Sequence, residues 1–263
     1  MERIILHVDV NNAFLSWTAV HKLECGETFD IRTVPSIIGG DESQRHGIVL
    51  AKSMPAKALG IVTAEPICYA KRKCKNLLVF PADFSVYKKY SYDVYNILST
   101  YTDKIERFSI DECFLDMTNS LMGRGILDIA KEISDRIAKE LKFTVNIGVA
   151  HNKLLAKMAS DFQKPNKIHT LLSKQEVEEK MWGLPVIELF MVGKNSINKL
   201  NDMGIKTIGD LAKTDPKILT KRFGKFGLMM YNYANGIDDS EINYQKHIPK
   251  RNWKRNNIIS RLK

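Results

Sequence analysis

The chain has 263 residues, of which 44% are hydrophobic and 27% charged, a composition typical of globular proteins and not of disordered, collagen-like or coiled-coil chains. Its length suggests two or more modules, since domains usually hold about 100–200 residues. The net charge is +10, and residues 245–263 contain seven basic residues and no acidic one. This basic tail suits a phosphate-rich partner, although a solvated chain end explains the same charge.

Membrane and secreted classes are disfavoured by the same sequence. The apolar runs are a few residues long, far short of the ~20 that span a bilayer, and the first ten residues do not form a signal peptide. The four cysteines show no spacing typical of a zinc site or a disulfide framework. We therefore expect a soluble cytoplasmic protein with reduced thiols and no membrane partner.

Strands and helices alternate over the first 170 residues. A β-branched run at residues 4–8 predicts a buried strand that ends at Asp9, and periodic apolar residues predict a helix at 84–101. Residues 105–116 indicate a bent or paired β element. A helix at 126–141, a strand at 143–149 and a helix at 152–162 are predicted next. This mixture predicts an α/β or α+β fold.

From about residue 172 the sequence changes to short helices joined by glycines. Two segments, Val192-Gly193-Lys194 and Phe223-Gly224-Lys225-Phe226-Gly227, each place a glycine turn near the start of an amphipathic helix. Backbone N–H groups at such turns can bind phosphates without contacting bases. An ordinary helix-turn-helix packing unit is the alternative explanation of the pattern.

The strongest chemical signal is acidic. Asp9 ends the first predicted strand, and Asp111 and Glu112 are adjacent. Neighbouring residues on a regular strand point to opposite faces, so only a bend or hairpin end can direct both carboxylates to one point. Carboxylates held together need a cation or a proton between them, and hard oxygen ligands suit Mg²⁺. Taken alone, these residues are more consistent with a solvated turn than with a metal site.

Three segments carry a family resemblance, namely residues 7–14 (HVDVNNAF), 109–116 (SIDECFLD) and 164–166 (KPN). In this order and at these separations they resemble the Y-family translesion DNA polymerases, over residues 1 to about 245. The resemblance implies an α+β fold with a ferredoxin-like palm, small α/β fingers and a helical thumb containing helix-hairpin-helix elements. It assigns residues 1–12 and 80–171 to the palm, 13–79 to the fingers, 172–244 to the thumb and 245–263 to a basic tail or linker. A little-finger domain, which the relatives carry next, is expected to be absent.

The same resemblance implies a DNA-directed DNA polymerase that acts in DNA repair with low fidelity and low processivity. Its implied partners are primer–template DNA, deoxynucleoside triphosphates and a sliding clamp, and we expect a monomer. Two Mg²⁺ ions, with Mn²⁺ as an alternative, would be held by Asp9, Asp111, Glu112 and the carbonyl group of Val10, and the three carboxylates are the implied catalytic residues.

The remaining implied site residues divide into two groups. The nucleotide-binding set includes Phe14 as a steric gate against a 2′ hydroxyl and Lys164 as a triphosphate ligand, although a core phenylalanine and a solvated lysine are the simpler explanations. The full set is Asn11, Asn12, Ala13, Phe14, Met54, Lys57 and Lys164. The DNA-binding set comes from the two glycine turns and comprises Val192, Gly193, Lys194, Gly224, Lys225 and Gly227.

Four positions depart from the family pattern. Asn11 stands where most relatives have aspartate, and Met54 and Lys57 stand where they have the tyrosine and arginine that hold the triphosphate. Lysine lacks the bidentate fork of arginine, and the methionine side chain donates no hydrogen bond. Met191 replaces the first glycine of the first glycine turn, so a positive φ there would strain the backbone.

Two other functions are compatible with these departures. A DNA-binding accessory protein, or a degenerate truncated homologue, would keep the fold and lose useful polymerisation. A nucleotide cyclase with a palm-type domain is disfavoured by the thumb-like segment. The survival of all three acidic residues favours the polymerase.

Overall fold

The computed structural model describes residues 2–40 and 47–244, so the predicted basic tail, residues 245–263, lies outside the described residues. Within these ranges the strands are β1 (Ile5–Val10), β2 (Ser36–Gly39), β3 (Val49–Lys52), β4 (Leu78–Pro81), β5 (Ile105–Arg107), β6 (Glu112–Asp116), β7 (Val145–Ala150) and β8 (Ile168–Leu171). The helices are α1 (Ala13–Glu24), α2 (Met54–Ala58), α3 (Ile67–Lys73), α4 (Phe84–Leu98), α5 (Ile126–Leu141), α6 (Lys153–Asp161), α7 (Lys174–Met181), α8 (Lys194–Asp202), α9 (Ile208–Lys213), α10 (Pro216–Phe223) and α11 (Lys225–Ala234).

The larger sheet has five strands in the order β5-β6-β1-β7-β8. Strand β1 is central and antiparallel to both β6 and β7, while β7 and β8 are parallel. Because side chains alternate along a strand, β1 divides its residues between two faces. Leu6, Val8 and Val10 enter a core with α1, α4 and α5. Ile5 instead joins a second core that includes α6, so His7 and Asp9 share the α6 face.

Helix α6 lies very close to this sheet because of Gly148 in β7. A Cβ atom added there would stand 1.9 Å from the carbonyl oxygen of Ala156 and 2.6 Å from the nitrogen of Ser160, both on α6. Only glycine permits that approach. As a result, the side chains of α6 reach the face of the sheet that carries Asp9.

The smaller sheet has three strands in the order β3-β2-β4, with β2 antiparallel to β3 and parallel to β4. Helix α1 contributes Leu15 and Ala19 to a core with β2 and β3, and Trp17 and Val20 to the core of the larger sheet. This helix therefore ties the two sheets together. Because β4 extends to Pro81, the smaller sheet runs two residues past the predicted end of the fingers.

Helices α7 to α11 form the remaining unit and share the second core with α6. Leu200, Leu211, Leu219 and Met230 are buried there. None of the helices in the described ranges combines the length and apolarity needed to cross a bilayer. Cys25, Cys68, Cys74 and Cys113 are free.

The predicted α+β fold is confirmed, and most predicted elements lie within a few residues of their expected bounds. The element at 105–116 is a hairpin of β5 and β6, and the helix predicted at 84–101 ends at Leu98. The first strand was expected to end at Asp9, and it ends one residue later, at Val10. Pairing with β6 ends at Asp9 and pairing with β7 continues to Val10, because backbone hydrogen bonds, and not the apolar run, decide where the strand ends.

Candidate active site

The site is built on the α6 face of the larger sheet, where two acidic side chains meet. Asp9 of β1 pairs in register with Glu112 of β6, so the two carboxylates are direct cross-strand neighbours on the same face. Asp9 is buried, with 6% of its surface exposed, and Glu112 is partly buried. Like charges in this arrangement repel, so the site needs positive charge.

Asp111 lies beside this pair, at the bend that leads into β6. The backbone N–H of Val10 donates to its carbonyl oxygen at 3.0 Å, and the hydroxyl of Ser109 donates to its Oδ1 at 2.6 Å. Burial raises the pKa of Asp111, and the charges of Glu112 and Asp9 raise it further. The bend expected from the sequence therefore brings the Asp111 carboxylate close enough to interact electrostatically with Asp9 and Glu112.

Positive charge comes from the middle of α6 and from the loop after it. Lys157 Nζ lies 3.1 Å from Glu112 Oε1 and 3.5 Å from Asp9 Oδ2. Lys164 Nζ lies 2.9 Å from Asp9 Oδ2. Asp161 binds both ammonium groups, at 3.2 Å and 2.9 Å. One connected network of ion pairs thus joins Lys157 and Lys164 with the carboxylates of Asp9, Glu112 and Asp161.

The network shifts the acidity of its members. Burial alone raises the pKa of Glu112, but His7 and Lys157 outweigh it and lower that pKa to about 2. Lys157 is the partner within hydrogen-bond range, since His7 Nε2 stands 3.6 Å from Glu112 Oε2. Burial opposes the charge of Lys157, yet Glu112, Asp161 and Asp9 raise its pKa to about 12. Both partners are therefore charged at neutral pH.

His7 packs behind Glu112 and is completely buried. Its Nδ1 lies 2.8 Å from the hydroxyl oxygen of Ser160, which itself donates to the carbonyl oxygen of Lys157 at 2.8 Å. Burial lowers the pKa of His7. The ring is thereby fixed against the back of the carboxylate pair.

The donor set suits a divalent metal ion in chemistry and in charge. Carboxylate oxygens of Asp9 and Glu112 converge on the ammonium of Lys157, which marks a point where a cation is stabilised. Across residues 2–40 and 47–244, no three acidic, histidine or cysteine side chains are arranged around a single metal position. In this arrangement the lysine nitrogen stands where the two carboxylates meet.

Asn11 occupies a buried position beneath the site. Its Nδ2 donates to Asn146 Oδ1 at 3.0 Å, and its Oδ1 accepts from Thr144 Oγ1 at 2.9 Å and from the backbone N–H of Asn166 at 2.8 Å. Only 7% of the residue is exposed. Asn11 therefore connects β1, β7 and the loop that carries Lys164, and the structure gives it a positioning role.

The next predicted nucleotide-binding residues continue from β1 into α1. Asn12 has a left-handed conformation with φ 49° and donates from Nδ2 to the carbonyl oxygen of Lys52 at 2.8 Å. Ala13 begins α1 and is buried. Phe14 is half-buried and its ring stacks on Tyr87 at 4.5 Å and 7°. The ring is thus held rigidly at the junction of strand and helix.

Two residues of the predicted nucleotide-binding set, Met54 and Lys57, lie on α2 beside the smaller sheet. Met54 opens α2 and is 62% exposed, and Lys57 follows one turn later. Lys52, at the end of β3, was not predicted; burial lowers its pKa, and the nearby charge of Lys57 lowers it further. Two cationic side chains therefore lie near each other here.

The two glycine turns of the helical unit adopt the expected local structure. Gly193 caps α8, which begins at Lys194, and Gly224 has φ 65° between α10 and α11. Met191 has φ 70°, a left-handed conformation. Glycine adopts this conformation readily, but a residue with a side chain is strained in it. The strain inferred from the sequence is therefore present.

The other predicted residues of these turns divide between surface and core. Lys194 and Lys225 are exposed, while Val192 is buried. Gly227 packs against α10, where an added Cβ would stand 2.2 Å from the carbonyl oxygen of Leu219. Its N–H donates to the carbonyl oxygen of Gly224 at 3.0 Å. Gly227 therefore serves the packing of the two helices.

Sequence reasoning missed Lys157, Asp161 and His7. A lysine inside the run Leu154-Leu155-Ala156-Lys157-Met158-Ala159, whose members are all buried, was the available signal, because lysine is rarely buried unpaired. The alternation of β1 was a second signal, since it places His7 on the same face as Asp9.

The chain is similar to known proteins over most of its length. Residues 8–161 match the profile of the impB/mucB/samB family, and residues 188–238 match that of the DNA polymerase-iota thumb domain. A curated DNA polymerase IV from Clostridium acetobutylicum is 57% identical over 242 residues, which cover 92% of this chain and 61% of that protein. The chain spans about three fifths of the length of such curated relatives.

Two solved structures are similar over most of this chain. One, described as a Y-family DNA polymerase chimera, is 26% identical with a TM-score of 0.80 and covers 93% of this chain and 70% of its own. Another, described as an insertion ternary complex of Dbh DNA polymerase, is 27% identical with a TM-score of 0.79 and covers 91% and 69%.

Proposed function

The chain belongs to the impB/mucB/samB family and to the Y-family DNA polymerases, and we propose that it is a template-directed DNA polymerase of the translesion type. It would add deoxynucleotides to a primer 3′ hydroxyl in the repair or bypass of damaged DNA, with low fidelity and low processivity. The observation that carries this proposal is the in-register pair of Asp9 and Glu112, with Asp111 beside it and Lys164 at its rim.

The proposed metal ligands are Asp9, Asp111, Glu112 and the carbonyl group of Val10. Mg²⁺ is the proposed metal, with Mn²⁺ as an alternative, because both take hard oxygen ligands. A pair of such ions supplies charge that activates a hydroxyl group and stabilises a leaving pyrophosphate. The protein contributes two rigid strands that fix the carboxylates and a bend, held by Ser109, that adds the third.

Lys164 and Phe14 would act on the incoming nucleotide. Lys164 has 37% of its side chain exposed, so its ammonium, bound to Asp9 and Asp161, can also reach a triphosphate outside the network. Phe14 cannot tilt freely, because Tyr87 stacks beneath it and Phe84 contacts its edge at 5.8 Å. A fixed ring beside the sugar would leave no room for a 2′ hydroxyl, and deoxynucleotides would be preferred.

Primer–template DNA is the proposed macromolecular partner. The exposed lysines that begin α8 and α11 and the basic residues of 245–263 provide charge for phosphate contacts. A sliding clamp as a further partner, a monomeric state and a cytoplasmic location are also proposed, on the family relationship alone.

Primer extension tests the proposal. With Mg²⁺, all four deoxynucleoside triphosphates and a primed template, the protein should extend the primer, and Asp111→Asn should reduce the rate by orders of magnitude with little change in DNA affinity. Asp116→Asn is the matched control, since Asp116 lies at the other end of β6 and its Oδ1 caps the N–H of Thr118 at 3.0 Å. Extension by Asp111→Asn at the control rate would refute the assignment.

The accessory-protein alternative gives a different result in the same assay. Protein that binds primer–template DNA tightly, yet extends no primer with Mg²⁺ or Mn²⁺, would support that alternative and reject the polymerase. The strained backbone at Met191 and the exposed Met54 are the observations that keep it open.

A further inference from the structure

The Lys157 side chain occupies the point on which the proposed metal ligands converge. Its Nζ lies 3.1 Å from Glu112 Oε1 and 3.5 Å from Asp9 Oδ2, and only 11% of the side chain is exposed. Its neighbours on α6, Ala156 and Met158, are buried apolar residues. The ammonium is therefore directed into the site from below and is not a surface charge.

This arrangement pairs three charged groups, the ammonium of Lys157 and the carboxylates of Asp9 and Glu112, whose burial without partners would be unfavourable. A buried ammonium needs ionic and hydrogen-bond partners, and two buried carboxylates repel each other unless positive charge lies between them. Lys157 meets both needs with no metal ion, since it bridges Asp9 and Glu112 directly. The same position would repel an arriving divalent cation, because like charges at such distances are strongly unfavourable in a partly buried site.

The lysine also has a second partner within reach. Asp161 lies one turn further along α6, with its Oδ2 3.2 Å from Lys157 Nζ, and 44% of its side chain is exposed. An ammonium displaced from the carboxylate pair can therefore remain paired by moving towards the rim. Asp9 and Glu112 would then be released for other ligands.

We propose that Lys157 is a positioning residue that acts as the internal counter-cation of the metal-free site: it holds Asp9 and Glu112 together and yields its place, towards Asp161, when divalent ions bind. This inference rests on the proposed function, in that it takes Asp9 and Glu112 as metal ligands. A divalent ion would then compete with the ammonium of Lys157 for the two carboxylates. Lys157 should therefore lower the metal affinity of the protein and raise its stability without metal.

The test uses the full chain without DNA or nucleotide. Lys157→Met removes the charge and keeps most of the apolar stem, and Lys157→Gln serves if the first variant fails to fold. Lys153→Met is the matched control, since Lys153 lies one turn earlier on α6, is 15% exposed and pairs with Glu106 at 2.8 Å, away from the carboxylate pair. Mn²⁺ binding is followed by the electron paramagnetic resonance signal of free Mn²⁺, and melting temperature is recorded in chelator and in saturating Mn²⁺.

Lys157→Met should bind Mn²⁺ about tenfold more tightly than the parent, within the range by which groups around metal ligands tune affinity. It should melt lower than the parent in chelator and gain more on adding Mn²⁺, by about 3–6 °C beyond the parental gain. Lys153→Met should also melt lower in chelator, but its gain with Mn²⁺ should equal that of the parent. The control thus separates a general loss of an ion pair from an effect on the site.

Unchanged or weaker Mn²⁺ affinity in both Lys157 variants, with binding still abolished by Asp9→Asn, would overturn this inference and leave the proposed function intact. Mn²⁺ binding that survives Asp9→Asn would overturn the metal assignment itself. Primer extension by the parent protein distinguishes the two failures independently.

Discussion

Gly148→Ala should test the close contact on which the site depends. The added Cβ would stand 1.9 Å from the carbonyl oxygen of Ala156, about 1.5 Å inside ordinary van der Waals distance. The same atom would stand 2.6 Å from the nitrogen of Ser160. Both obstacles are backbone atoms of a helix, so no side chain can rotate away and α6 as a whole must shift.

Overpacking of a well-packed core costs about 1–3 kcal/mol and occasionally more. Because the clash involves backbone on both sides, we expect the upper end, about 3 kcal/mol, which lowers the melting temperature by about 6–12 °C in a chain of this size. The displaced helix would also shift the following loop with Lys164, the proposed triphosphate ligand, away from Asp9, so primer extension should fall as well.

Gly183→Ala is the matched control. A Cβ atom added at Gly183 would meet no atom within 4 Å, and the residue has no positive φ, so the same change there should stay within about 0.5 kcal/mol. Melting is followed by circular dichroism or calorimetry, and extension on a primed template at a temperature where both variants are folded. If Gly148→Ala melts within about 2 °C of the control, α6 does not pack against β7 at the distance that the structure shows.

Three further predictions concern single residues and a fourth concerns the tail. Asn11→Asp should lower the free energy of unfolding by about 2 kcal/mol at pH 7, because a carboxylate would face Asn146 Oδ1 in a buried site. Asn12→Asp loses the hydrogen bond to the carbonyl oxygen of Lys52 at an exposed position, so it should cost less in the same melting assay. Met191→Gly should raise the melting temperature by about 2 °C or more, since relief of the left-handed conformation exceeds the entropic cost of glycine; a lower melting temperature would contradict the strain. Phe14→Ala should raise the ratio of kcat/KM for ribonucleotide over deoxynucleotide, and an unchanged ratio in an active variant would make Phe14 a core residue only. Deletion of residues 246–263 should make DNA affinity less dependent on salt. The slope of log K against log salt concentration should flatten by up to ~0.9 for each phosphate that the tail neutralises. Equal slopes for the two proteins would leave the tail without a role in binding.

Local periodicity was enough to predict most of the fold. The apolar spacing of α5 and the strict alternation of β7 indicated both elements nearly to the residue. The end of β1 was placed one residue early, because its last residue, Val10, is held by pairing with the distant strand β7. Periodicity depends on neighbours in sequence, whereas strand ends depend on partners that lie far away along the chain.

The candidate site was predictable only in part, for the same reason. Asp9, Asp111 and Glu112 came from the family resemblance, and the expected bend at Asp111 follows from strand geometry. Lys157 was missed because its partners lie 45 and 148 positions away in sequence. Asn11 was expected to bind nucleotide, yet its hydrogen bonds to Asn146 could be seen only after β1 and β7 were placed side by side.

The alternation of β1 explains why the acidic residues and the fold constrain each other. Its even-numbered residues fill an apolar core, so a shift in register by one residue would drive Asp9 into that core and expose Val8 or Val10 to the site. Such a shift is excluded by the cost of burying an unpaired carboxylate. The same constraint fixes the register of β6, because Cys113 and Leu115 fill the apolar core and a shift by one residue would drive Glu112 into it. The correct register in turn leaves two carboxylates together on a partly buried face, a placement that is unfavourable without a cation. The fold meets this need with a lysine from α6, whose approach depends on Gly148, and it follows that the packing of α6 and the charge balance of the site cannot be altered independently.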